Sequence, residues 1–323
     1  MSIRVLISGG AGYIGSILSQ CLHDRKINFA VIDDLSNSSL KFIGKNFIFY
    51  RGNINNTSIL KKIFQEFRPT HIVHLAASID VNESEIKKKK YYNNNVISSK
   101  KFINFFIKKK IKNFIFSSTA AVYNCNPDKK SEKYKQIPAN YYGFTKLLIE
   151  KFLIKKNIEN KLNIKILRFF NVVGADRKLR AGNISKKSKH LFNSLSKSIF
   201  LKKIFNVNGK NYNTKDGTCI RDFVDVNDLV KIIIFFIKNK NKHKVFNIGT
   251  NKGYSVLDVL KSFEKVLKIK IRHRYCKNRM GDAPHLVCDN RLLRSVFNFK
   301  FVNFNKSIKN HYFFYKNFYK KFT

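Results

Sequence analysis

The chain contains no tryptophan, two methionines and four prolines in 323 residues. Acidic residues are also scarce, 20 Asp+Glu against 64 Lys+Arg. The five cysteines (Cys21, Cys125, Cys219, Cys276 and Cys288) never fall as C-x-x-C. That absence removes the usual zinc and dithiol patterns; an odd, scattered set predicts reduced thiols, a cytoplasmic setting and no metal site. His71 and His74 do not substitute for such a site, because residues i and i+3 on a strand point to opposite faces. The longest strongly apolar run, Ile232–Ile237, is far too short to span a bilayer. The first residues lead straight into a strand pattern, so no signal peptide is expected. No internal repeat is visible.

The deficit of acid leaves a formal charge of +44. Such a charge ordinarily suggests nucleic acid or an anionic membrane. Here the lysines are spread along the whole chain and accompany an excess of Ile, Asn and Phe, residue types that share A/T-rich codons. Runs such as Lys87–Lys90 and Lys108–Lys110 read as solvated helix faces. No dedicated nucleic-acid or membrane partner is expected, although the field favours anionic small molecules. A hydrophobic content of 44% fits a globular chain of one large or two modest domains.

Gly9-Gly10-Ala11-Gly12-Tyr13-Ile14-Gly15 lies between an apolar run, Ile3–Ile7, and a helical pattern through Ile14, Ile17, Leu18, Cys21 and Leu22. Strand, glycine turn and helix are the parts of a phosphate cradle: glycines admit a pyrophosphate, and the helix N-terminus offers unpaired N–H groups. The spacing of Gly9, Gly12 and Gly15 is G-x-x-G-x-x-G. A second strand, Phe29–Ile32, ends at Asp33, where a Rossmann unit places the acid that accepts from a ribose 2′-hydroxyl. That acid favours NAD over NADP. Further strands are predicted at Phe47–Tyr50, His71–Leu75, Asn113–Phe116 and Ile164–Leu167, with helices at 58–67, 95–109 and 142–155. The alternation predicts an α/β fold, a Rossmann-type doubly wound parallel sheet. Beyond Arg168 the rhythm breaks, with helices expected near 190–200, 226–238 and 255–267, the last opened by a capping box at Ser255 and Asp258, and strands near 204–207 and 245–248. The expected division is residues 1–170 for the NAD-binding domain, with a return near 220–250, and 171–323 for a smaller α/β substrate domain. The aromatic, basic tail from Asn310 receives no role.

Tyr142 and Lys146 share one face of a helix. Thr119 follows the fifth strand, so all three residues are expected at the carboxyl ends of the sheet. A phenol with pKa of about 10 must be lowered by about 3 to act as a base near pH 7, and an adjacent ammonium and a cationic nicotinamide can supply that. Tyr312 and Lys316 match the same spacing in the tail and are read as chance.

At these residues the chain resembles the extended short-chain dehydrogenase/reductases, and among them the sugar-nucleotide 4-epimerases. The resemblance runs from Ile3 to about Phe297. It rests on Gly9–Gly15, Asp33–Ser38, His74–Ala77, Val81–Ser84, Tyr91–Val96, Phe116–Tyr123, Tyr142–Lys146, Arg168–Ala175, Asn211–Phe223, Asn247–Gly249 and Arg279–Asp282. It implies an isomerase with bound NAD that interconverts UDP-galactose and UDP-glucose through a 4-keto sugar. By position, Tyr142 is the base, Lys146 tunes it and binds the nicotinamide ribose, and Thr119 holds the sugar O4. Gly9, Gly12, Tyr13, Ile14, Gly15, Asp33, Asn37, Asn53, Ile54, Leu75, Ala76, Asn94, Lys146 and Phe170 are the implied NAD contacts. Asn171, His190, Leu191, Arg221, Arg279 and Asp282 are the implied UDP contacts. Three departures stand out: Asn53 for the family's Asp, Ile79 for a common Lys, and Asp225 for a common His. Leu286 occupies the position that helps set sugar specificity, and its size leaves UDP-N-acetylhexosamine or UDP-pentose epimerisation open. The family also implies a homodimer through helices at about 95–110 and 143–157. A 4,6-dehydratase would require Asp-Glu after Thr119, where this chain has Ala120-Ala121. A non-catalytic RNA-binding relative, the alternative prompted by the charge, need not keep Tyr142, Lys146 and Thr119 together.

Overall fold

The computed structural model describes residues 2–123, 129–183, 190–278 and 283–322. The chain forms two compact units, one comprising Met1–Tyr123, Lys135–Phe169 and Val230–Phe246, the other the remaining segments. The first carries β1 (Arg4–Ser8), α1 (Tyr13–Asp24), β2 (Asn28–Asp33), β3 (Ile48–Arg51), α2 (Thr57–Glu66), β4 (His71–His74) and α3 (Val81–Ile86). A helical run follows, α4 (Lys88–Tyr91), a π turn (Tyr92–Ser98) and α5 (Ser99–Lys108), then β5 (Asn113–Thr119), α6 (Tyr141–Asn160) and β6 (Asn163–Phe169). The remaining elements are β7 (Asn171–Val173), α7 (Leu191–Phe200), β8 (Phe205–Asn208), β9 (Ile220–Asp225), α8 (Val226–Lys238), β10 (Val245–Ile248), β11 (Gly253–Ser255), α9 (Val256–Leu267), β12 (His273–Cys276), β13 (His285–Leu286), α10 (Arg291–Val296) and α11 (Phe304–Phe322).

The main sheet runs β3-β2-β1-β4-β5-β6-β10, and each pairing from β3 through to β6 is parallel. This is the doubly wound Rossmann order, whose direction reverses between β1 and β4. Helices cover such a sheet on both faces, so its strands read as continuous apolar runs. Leu6, Ala30, Ile32, Ile72, Phe114, Phe116, Ile164 and Ile166 pack together with Phe102, Phe106 and Ile149. Strand β10 lies at the edge of this sheet beside β6. The sequence reading assigned no helix to α3, α10 or α11, and it did not foresee the π turn. In that turn the buried Asn95 accepts from the Ser78 N–H (2.8 Å) and donates to the Ser78 carbonyl (3.0 Å) and the Thr145 hydroxyl (3.2 Å). It thereby ties the loop after β4 to α6.

In the second unit β9 is flanked by β11 and β13, and β7 also pairs with β9; β8 pairs with β12 separately. Helix α9 opens with the expected capping box, Ser255 and Asp258 each holding the other's backbone N–H at 3.0 Å. The tail is helix α11, which buries Ile308, His311, Phe314 and Tyr315. Phe304, at its start, stacks on Tyr254 with ring centroids 4.1 Å apart. Asp225, the departure from a common His, accepts from the Ser307 hydroxyl at 2.6 Å and so anchors α11.

Candidate functional site

The glycine turn is shaped by what its residues lack. Gly9 has φ +73, and a Cβ there would sit 2.7 Å from the Ala76 backbone nitrogen. A Cβ on Gly15 would overlap the Gly9 carbonyl oxygen and come within 2.6 Å of the Gly10 Cα. The turn is pinned by the Gly9 N–H donating to the Ile32 carbonyl (2.9 Å) and the Gly12 N–H donating to the Gly9 carbonyl (3.2 Å). Gly12 is the N-cap of α1 and supplies no side chain to it. The first turn of α1 therefore has no side-chain acceptor from its cap, and its dipole favours an anion.

Asp33 is buried, and its carboxylate accepts from the Ala11 N–H (3.0 Å), the Leu35 N–H (2.9 Å) and the Ser38 hydroxyl (2.7 Å). It holds the glycine turn as well as ending β2. A carboxylate has about four acceptor positions, so one remains for a ribose hydroxyl. Asn53 donates to Asp34 at 3.0 Å and accepts from the Asn55 N–H at 3.1 Å, which leaves its amide oxygen one lone pair for adenine. Tyr13 and Ile14 begin α1 half-buried, Leu75 and Ala76 follow β4 half-buried, and Asn37 is exposed. Ile54 directs its side chain into the core, so only its backbone is open to a ligand. Asn94 lies in the π turn and donates to the Ser78 hydroxyl at 3.0 Å. Ile79 is exposed. The open turn, the uncapped helix and the acid at the end of β2 fit a dinucleotide.

Tyr142, Lys146 and Thr119 come together as the spacing predicts. Asn140 caps α6 by accepting from the Gly143 N–H at 2.9 Å, and the Tyr142 N–H donates to Ser84 Oγ at 3.1 Å. Gly143 allows this: a Cβ there would lie 2.8 Å from the Ala121 carbonyl carbon. Helix α6 can therefore approach the end of β5, and the Thr119 side chain hydrogen-bonds the Tyr142 phenol. Lys146 is buried and donates to the Ser117 carbonyl at 2.8 Å, with its ammonium 4.8 Å from the centre of the Phe116 ring.

The electrostatics differ from the expectation for a ready base. Burial pushes the Tyr142 phenol up to about 12, against the lowering effect of the Thr119 hydrogen bond. Burial pulls the Lys146 ammonium down to about 7, while Glu150 acts in the opposite direction. In the protein alone the phenol is thus poised as an acid, and a positive charge brought beside it must lower its pKa. His74 sits behind this cluster with its ring nitrogens 2.6 Å from Ser8 Oγ and 2.9 Å from Ser99 Oγ. Burial, with the Lys146 charge, pushes it down to about 3, so it is a neutral core residue.

The sequence reading missed the buried ion pair one turn beyond Lys146. Glu150, one turn further along α6, is buried, accepts from the Ser118 hydroxyl and pairs with Arg168 at 2.6 Å. Arg168 also donates to the Tyr123 hydroxyl at 2.7 Å. In the sequence Glu150 stands at i+4 from Lys146, and Arg168 opens the segment Arg168–Ala175.

The second unit carries the remaining candidates. Phe170 is buried and donates its N–H to the Ile248 carbonyl at 3.0 Å, and Asn171 opens β7. His190 is the N-cap of α7 and Leu191 its first residue; as with α1, no side chain caps the helix. Arg221 lies on β9 between Tyr254 and Leu286, and its guanidinium donates to the Ile220 and Ala283 carbonyls at 2.9 and 2.5 Å. The specificity candidate Leu286 thus neighbours a candidate nucleotide ligand. Arg279 and Asp282 lie outside the described residues. Among the described residues Cys21, Cys219, Cys276 and Cys288 form no disulfide. Among the described residues no helix is long and apolar enough to cross a membrane.

Residues 5–249 match the model of the NAD dependent epimerase/dehydratase family. A UDP-glucose 4-epimerase of Lactobacillus helveticus is 36% identical over 304 residues, covering 92% of each chain. Two solved structures are similar over nearly the whole fold. The UDP-glucose 4-epimerase of Brucella ovis in complex with NAD superimposes with a TM-score of 0.91 at 28% identity, covering 98% of this chain and 99% of its own. That of Bifidobacterium longum in complex with NAD+ and UDP gives 0.90 at 28%, covering 97% and 98%.

Proposed function

The chain belongs to the NAD-dependent epimerase/dehydratase family, and from that membership we propose that it is a UDP-hexose 4-epimerase interconverting UDP-galactose and UDP-glucose. The single observation that carries this reading is the Tyr142–Thr119–Lys146 cluster at the carboxyl end of the sheet that also carries the glycine turn.

The residues divide the work as follows. The Gly9–Gly15 turn and the first turn of α1 hold the pyrophosphate of NAD, and Asp33 accepts from its ribose. NAD bound there would supply a reversible hydride acceptor for sugar C4. Tyr142 takes the proton of the sugar 4-hydroxyl at its phenolic oxygen and later gives it back, while Thr119 fixes O4 within reach. Lys146 contributes the positive charge that makes the phenolate accessible. Asn171, the N-terminus of α7, Arg221, Arg279 and Asp282 hold the UDP, the arginines through guanidinium forks suited to a diphosphate. Because the hydride goes back to the sugar, no cofactor is consumed overall.

The reading extends to a cytoplasmic homodimer. Exposed apolar side chains on the π turn and α6, Ile97, Phe144 and Ile158, suit a second copy of this face. Sedimentation at twice the monomer mass, abolished by charged substitutions at Ile97 and Phe144, tests that extension.

For the activity, purified protein is incubated with UDP-galactose. UDP-glucose should form without added reductant. A folded, NAD-loaded protein yielding no product refutes the assignment. Tyr142→Phe should lose most turnover yet retain UDP binding; unchanged turnover removes Tyr142 as the base. A parallel assay with UDP-N-acetylgalactosamine shows which sugars Leu286 admits.

A further inference from the structure

Tyr142, Lys146 and Glu150 succeed one another by single helical turns along α6. Consecutive residues at the end of β5 meet all three: Thr119 bonds Tyr142, Ser117 receives Lys146, and Ser118 donates to Glu150. The first two contacts belong to the proposed chemistry, and the third has no part in it. Glu150 is nevertheless 1% exposed and is gripped by Arg168, whose Nε and Nη2 reach its oxygens at 3.0 and 2.6 Å. Burying such a pair costs about as much desolvation as its attraction returns, so stability is a poor reason for its presence.

We propose that Glu150 is a positioning residue for the reaction: its carboxylate, fixed by Ser118 and Arg168, supplies the negative field in which the buried Lys146 ammonium stays charged beside Tyr142. The surroundings of Lys146 show why one is needed. From β5 it meets the Ser117 carbonyl and the Phe116 ring, which are attractive but carry no net charge. From β4 it faces His74, a neutral imidazole in this setting. On α6 its neighbours are the Tyr142 phenol and Glu150. Burial favours loss of the lysine proton, and Glu150 opposes that loss. Arg168, on β6, pairs with Glu150, and its Nη1 donates to the Tyr123 hydroxyl. A lysine that lost its proton would withdraw the cation that the phenol requires, and Tyr142 would fail as a base on the alkaline side.

The kinetic arm of the test rests on the 4-epimerase reading. The pH profile of UDP-galactose turnover is measured for the wild type, Glu150→Gln, Glu150→Asp and the double variant Glu150→Gln/Arg168→Gln. The double variant leaves no orphaned buried guanidinium and carries the test if the single one fails to fold. Both Gln variants should lose roughly tenfold more activity at mildly alkaline than at mildly acid pH. Glu150→Asp should restore the alkaline limb. A second arm needs no turnover: the Lys146 side chain is titrated by NMR in each protein, its resonance assigned by its loss in Lys146→Met. Its proton should leave at lower pH in the Gln variants. A uniform loss of activity at all pH values with an unmoved Lys146 titration overturns the proposal and reduces Glu150 to a staple between α6 and β6. If the wild type turns over no UDP-galactose, the epimerase reading fails and the NMR arm still judges Glu150.

Discussion

Replacing Gly12 and Gly15 by alanine, one at a time, separates binding of a dinucleotide from integrity of the fold. At Gly12 the backbone has φ −73 and ψ 178, values that alanine adopts freely. The added Cβ would lie 3.3 Å from the Gly9 carbonyl oxygen, a misfit of a few tenths of an ångström. With the weaker capping of alanine the protein itself should lose no more than about 1 kcal/mol. The new methyl would, however, stand at the N-terminus of α1, where phosphate oxygens must approach. Losing one or two charge-assisted bonds there costs about 2–4 kcal/mol. That predicts a roughly 30- to 1000-fold rise in the Kd for NAD. Gly15→Ala behaves differently, because its Cβ runs into the Gly9 carbonyl and comes within 2.6 Å of the Gly10 Cα, both backbone atoms. The turn cannot yield without breaking the Gly12-to-Gly9 hydrogen bond, so the unliganded protein should lose about 2–3 kcal/mol. Calorimetric titration of NAD-free protein gives the Kd, and differential scanning calorimetry of the same samples gives the Tm. The reasoning is wrong if Gly12→Ala binds NAD within about threefold of the wild type. It is equally wrong if Gly12→Ala loses as much Tm as Gly15→Ala.

Lys146→Met should reduce kcat by about 10²- to 10⁴-fold. The same variant should have a higher Tm at neutral pH: a lysine depressed to about 7 in the fold contributes full stability only above its unfolded value of 10.5 and loses it as pH falls toward 7. A lower Tm with intact turnover contradicts both statements. Burial depresses His74 to about 3 and His311 to about 4, from 6.5. Their stabilising contribution is therefore complete above pH 6.5 and declines as pH falls toward 4, and a Tm series through that window should show the decline. Asn140→Ala removes the cap of α6, and urea titration should find a loss of about 1 kcal/mol. Because that cap sits two residues before Tyr142, kcat should fall as well, while Ser255→Ala should cost similar stability with kcat unchanged.

The parallel sheet was legible because its strands are buried on both faces and its helices on one, which prints long apolar runs and a 3.6-residue period into the chain. Capping at Ser255 and Asp258 was legible for a similar reason: both partners lie within one turn. The π turn at Tyr92–Ser98 was not, since its cause is Asn95 reaching Ser78 and Thr145, which are distant in sequence. The aromatic tail had no visible role because its partners, Phe192, Phe223 and Tyr254, belong to separate segments. At the site, side-chain type and spacing singled out Tyr142, Lys146 and Thr119 as candidates. Their protonation was beyond reach, because burial sets it and burial is a property of the packed whole.

By itself, then, the amino-acid sequence determined the strand–turn–helix at Gly9–Gly15, the acid that closes β2 and the one-turn spacing of Tyr142 and Lys146. These are local patterns, settled by backbone sterics and helical periodicity. Only the tertiary structure decided that Gly143 lets α6 reach the end of β5, that Asp33 braces the glycine turn, and that Lys146 lies in a desolvated pocket with Glu150 and Arg168 beneath it. Those features arise where segments far apart in the chain exclude water together, and the energy of a charge depends on what surrounds it.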